Sequence, residues 1–158
     1  MGKNTFTILS IEDNEPDFVI LERALNRIED LTLKIINITS GEKALEFMYK
    51  KGEYKSSPTP NLILLDINLP LIDGKEILKT LKNDKKYKVI PIIMFSTSDY
   101  SSDIEESYRL HANSYITKTF DIKELFRKIS HIGEYWLKTN TKPEINNIYF
   151  IQNLNKGE

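Results

Sequence analysis

Several polar residues of this chain stand where a short apolar run gives out. Glu12 and Asp13 follow TFTILSI, Asp66 follows Leu62–Leu65, Ser96 and Thr97 follow VIPIIMF, and Lys118 follows SYIT. Taken singly, an acid pair before a helix is usually a cap, hydroxyls after an apolar run open a turn, and a lysine is solvated. Taken together they have chemistry in common. Three carboxylates at one edge of a sheet repel one another unless a cation lies among them, and hard oxygen donors with room for water suit Mg2+. A lysine adds a point charge and a serine a donor. Such a set can hold a phosphoryl group and stabilise charge on its oxygens while a carboxylate attacks in line.

This chemistry requires the runs to be parallel, adjacent strands. In NLILLDINLPLIDG, 61–74, four apolar residues run unbroken into Asp66, the pattern of a strand buried on both faces. Open α/β sheets place ligands at the carboxyl ends of such strands. In chain order the expected elements are a strand at 5–11, a helix capped by Asp13 or Asn14 with a stripe of Phe18, Leu21, Leu25 and Ile28, and a strand at 33–38. A helix capped by Thr39 or Ser40 then runs to near Gly52. The opening strand follows, then a helix from Asp73-Gly74 with Ile77, Leu78 and Leu81, a strand at 89–95, and a helix opened by Asp99 or Ser101. A short strand at 114–117 precedes a long last helix capped by Asp121, with Ile122, Leu125, Ile129, Ile132 and Trp136 at helical spacing. Five strand–helix alternations point to an α/β parallel sheet.

Composition narrows the options. The 158 residues suit one domain, with 40% hydrophobic and 28% charged residues. A net charge of -1 gives no basic excess for nucleic acid, so direct nucleic-acid binding is not expected. There is no cysteine, which excludes disulfides and thiol catalysis. No apolar run approaches a membrane span and no signal peptide is evident, so a cytoplasmic protein is expected.

The motifs ILSIEDNEPD, LILLDINLPLIDG, PIIMFSTS and ANSYITKT together resemble the receiver domains of two-component response regulators, over about Phe6 to Trp136. The resemblance implies a flavodoxin-like (βα)5 fold with strand order 2-1-3-4-5. It implies that Asp66 accepts phosphate from the phosphohistidine of a sensor histidine kinase or phosphotransfer protein. Asp13 and Asp66 would ligate Mg2+ with the backbone carbonyl of Asn68, and Glu12 would act through metal-bound water. Ser96 matches the hydroxyl that moves to the phosphoryl oxygen, Lys118 the lysine that pairs with it, and Tyr115 the aromatic that swings inward. The helix 4–strand 5–helix 5 surface would then change for partners, including a second copy of the chain. Thr119 departs from the family's usual proline, which forms a cis bond with the lysine.

Residues 1–138 are expected to form the receiver and 139–158 a tail without an output domain, similar to single-domain regulators associated with phytochrome-like sensors. The tail carries one apolar island, IYFI at 148–151. Phe126, Gly133 and Leu137 lie off the main stripe of the last helix and suggest a second apolar edge. His111 and His131 read as ordinary helical residues and Trp136 as a packing anchor. Two competing readings are a receiver fold that binds constitutively without phosphate, and an aspartyl-phosphate hydrolase. The hydrolase would place a second acid where this chain has Asn68.

Overall fold

The computed structural model describes residues 5–144. Its elements are β1 Thr5–Ile11, α1 Glu15–Leu25, β2 Thr32–Ile38, α2 Gly41–Met48, β3 Leu62–Leu65, α3 Gly74–Asn83, β4 Ile92–Ser96, α4 Ser101–Arg109, β5 Ser114–Thr117 and α5 Ile122–Gly133. All strand pairs are parallel, in the order β2-β1-β3-β4-β5. The parallel α/β sheet is the one the alternation points to, and its strand order and doubly wound form are those the resemblance implies.

The unbroken apolar run of β3 has a direct explanation. Successive strand side chains point to opposite faces, and here both faces are covered. Ile63 and Leu65 join the layer under α2 and α3, with Leu9, Phe47, Ile77 and Leu78. Leu62 and Leu64 join the layer under α1 and α5, with Ile8, Leu21, Leu125 and Ile129. Each such side chain contributes about 2 kcal/mol relative to exposure.

Helix starts follow from local capping. Asn14, Ser40, Asp73 and Asp121 accept backbone N–H groups at the starts of α1, α2, α3 and α5. Tyr100 precedes α4 without a side-chain cap. At Gly74 an added Cβ would collide with the carbonyl oxygen of Asp66. Glycine therefore lets α3 begin directly against the end of β3.

Several expected boundaries move. α2 ends at Met48, because Lys50 takes a left-handed φ of 55°, and a 3-10 turn occupies Gly52–Tyr54. Residues 87–89 form another 3-10 turn. Pro91 stays outside β4, where its missing N–H interrupts no ladder, and its carbonyl accepts the Ile63 N–H at 3.0 Å. His111 is not helical; it follows α4 with φ 70° and is exposed. The last helix is not uniform, since α5 continues as a π-helical turn over Glu134–Thr139.

The expected second apolar edge of α5 is covered within the molecule. Gly133 and Leu137 are buried, Gly133 lies against Ile28, and the Arg27 guanidinium sits 4.8 Å from the Phe126 ring centroid. The island at 148–151 lies outside the described residues. Among the described residues, no helix is long and apolar enough to cross a membrane.

Candidate functional site

Backbone hydrogen bonds tie the strand ends into one edge. Glu12 N–H donates to the Ile38 carbonyl at 3.0 Å, Asp66 N–H to Ile11 at 3.1 Å, and Lys118 N–H to Ser96 at 2.7 Å. These bonds bring together side chains more than a hundred positions apart in sequence.

Lys118 is the centre of the arrangement. It is buried, and its ammonium donates to Glu12 Oε2, to Asp17 Oδ2 at 2.9 Å and to Asp66 Oδ2 at 3.2 Å. The Phe95 ring centroid lies 5.2 Å away. Burial works to lower the lysine pKa, but Asp66, Glu12 and Asp17 outweigh it and hold it above its ordinary value. The Lys118–Thr119 peptide is trans, as are all described peptide bonds. Lys118 therefore reaches Asp66 without the cis bond of the Lys-Pro pattern.

The acids differ in setting. Glu12 is buried at 3% exposure, and its Oε1 accepts the Asn14 N–H at 2.9 Å. Burial pushes its carboxyl up to about 7, against the pull of Lys118. Asp66 is buried and Asp13 exposed. Carboxylate oxygens of Glu12, Asp13 and Asp66 lie within 4.8 Å of one another. This all-oxygen group, open on the Asp13 side, fits a hard divalent cation. Asn68 is exposed on the loop after β3, and its N–H donates to Asp66 Oδ1 at 3.3 Å.

Ser96 is fully buried at the end of β4, and its Oγ accepts the Ser98 N–H at 3.3 Å. The Tyr115 ring packs on the core, and its hydroxyl donates to the Ser98 carbonyl at 2.8 Å. Burial is the main cause holding the Tyr115 hydroxyl above its ordinary pKa. Glu12, Asp13, Asp66, Asn68, Ser96 and Lys118 thus lie at this edge or in a loop that leaves it, while Tyr115 stands within β5 and reaches the loop after Ser96 through its hydroxyl.

The sequence matches the response regulator receiver domain over residues 8–130. The chain belongs to this family. Among curated receivers, response regulator Rcp1 of Synechocystis is 39% identical over 136 residues, 86% of this chain and 92% of that protein. The probable methanogenesis regulatory protein FilR2 of Methanothrix harundinacea is 33% identical, covering 90% of each chain. Among solved receivers, the phosphorylated cyanobacterial phytochrome response regulator RcpA superposes with a TM-score of 0.86 at 38% identity, over 89% of this chain and 100% of that one. The Mn2+-bound form of Rcp1 superposes at 0.84, also at 38% identity, over 87% and 99%.

One residue of this receiver site escaped the sequence reading. Asp17 sits in the first turn of α1, where the Asn14 side chain accepts its N–H at 3.0 Å, and there it reaches Lys118. The available signal was positional. A helix that starts at the strand-end edge presents its first turn to that edge.

Proposed function

We propose that this receiver is a signalling protein that accepts a phosphoryl group on Asp66 from a histidine kinase or phosphotransfer protein. The observation that carries this reading is the convergence of Lys118 on Asp66 beside the Glu12–Asp13–Asp66 oxygen cluster. The Asp66 carboxylate attacks phosphorus as the P–N bond of a phosphohistidine breaks, and the imidazole leaves. Lys118 balances charge on the phosphoryl oxygens, and the Ser96 hydroxyl turns to donate to one of them. Tyr115, released from the Ser98 loop, settles into the vacated space, and the α4–β5–α5 surface changes for partners, a second copy among them.

Asp13, Asp66 and the Asn68 carbonyl would hold Mg2+, with Glu12 acting through its water. The ion would supply the positive charge that lets carboxylates and phosphoryl oxygens lie together. The phytochrome relatives Rcp1 and RcpA support an input from a phytochrome-like sensor. The constitutive-binding reading rested on Thr119, which does not keep Lys118 from Asp66. The hydrolase reading lacks its second acid at Asn68.

The test is incubation with acetyl phosphate and Mg2+, read by intact mass. Wild type should gain one acid-stable, base-labile phosphoryl group and Asp66→Asn none. An unmodified wild type, or equal labelling of both, would remove this reading.

A further inference from the structure

Lys118 has three N–H donors, and all three are engaged, by Glu12, Asp17 and Asp66. An arriving phosphoryl oxygen can reach the ammonium only by displacing one of these acceptors. They are not equally displaceable. Glu12 and Asp66 side chains are 4% and 8% exposed, so losing the ammonium would leave a buried carboxyl group without its partner. The Asp17 side chain is 24% exposed on α1 and can exchange the lysine for water. Asp17 also lies outside the Glu12–Asp13–Asp66 oxygen cluster. With Asp17 counted, three carboxylates surround one ammonium, and Asp17 opposes any further negative charge there.

We propose that Asp17 is a positioning residue: it holds Lys118 in the resting site and yields its hydrogen bond to the incoming phosphoryl group, opposing phosphorylation. The inference rests on Asp66 being the phosphoacceptor. α1 is thereby tied to the phosphorylation state, since the Asp17–Lys118 contact exists only while the site is empty of phosphate.

The experiment compares wild type, Asp17→Asn and Asp17→Glu. Beryllofluoride, a phosphoryl mimic, is titrated at saturating Mg2+. Asp17→Asn should bind it about three- to tenfold more tightly, and Asp17→Glu should return affinity to within about twofold of wild type. Unchanged or weaker beryllofluoride binding by a folded Asp17→Asn overturns the inference. Failure of the phosphoacceptor reading looks different: Asp66→Asn would then take as much phosphate as wild type, or wild type none, whatever Asp17 does.

Discussion

Glu12 stands at the meeting of two demands, since burial disfavours its charge while a cation site needs it. Its carboxyl, raised to about 7, keeps a proton over the interval in which an unfolded glutamate has lost it. The metal-free fold therefore draws stability from Glu12 below about pH 4.5 and loses it as pH rises through about 7. Divalent binding runs the other way, because the cation competes with that proton. Mg2+ affinity, measured by calorimetry, should fall by up to about tenfold per pH unit below 7. Glu12→Gln should flatten that dependence. Glu12, Asp66, Ser96 and Lys118 were legible because each ends an apolar run, a local signal. Asp17 was not, because its partner is 101 residues away and only the docking of α1 brings the two together.

At the scale of elements, α5 meets the end of α1 and the turn after it through a missing side chain. A Cβ at Gly133 would collide with Ile28 Cδ1 and crowd Leu25. Gly133→Ala should cost about 1–2 kcal/mol in denaturant unfolding, although alanine is the better helix former. In an Ile28→Val background, which lacks that methyl, the same change should become neutral or stabilising by up to about 1 kcal/mol.

α3 and α4 meet through charge instead. Lys75 donates to Asp103 at 3.0 Å and to Glu106 at 2.6 Å, and Ser98 Oγ donates to Asp103 Oδ2. The Ser98 hydroxyl and Lys75 hold the Asp103 carboxyl below its ordinary value. The contribution is present above about pH 4 and lost as pH falls through the lowered pKa. Asp103→Asn should destabilise by about 1 kcal/mol at neutral pH, discounted for exposure, and the gap in thermal midpoint should close under acid. Element type was legible from periodicity and caps. The π-helical end of α5 and the early stop of α2 were not, because tertiary packing and a left-handed Lys50 decide them.

Across the whole molecule, the alternation pointed to a parallel sheet with right-handed crossovers, while the strand order came only from the receiver resemblance, and the observed order is the one it implied. The second apolar edge of α5 was legible as spacing but not as contact. Helical spacing shows how wide an apolar stripe is, but not which neighbour lies against it, and here Leu25 at the end of α1 and Arg27 and Ile28 just beyond it do. The division of the core into two layers has a further consequence for time rather than position. β3 is sandwiched by both layers and paired on both sides, so the Leu64 and Leu65 amides should exchange with deuterium only when the entire domain opens. The Ser98 loop depends on a few partly exposed hydrogen bonds and should exchange by local opening, orders of magnitude faster. Asp66 is thus anchored to the slowest-exchanging part of the chain, while Ser98, two residues beyond the Ser96 hydroxyl, belongs to one of the fastest. A charge placed on Asp66 should alter the exchange of the Ser98 loop first and leave that of β3 tracking global stability alone.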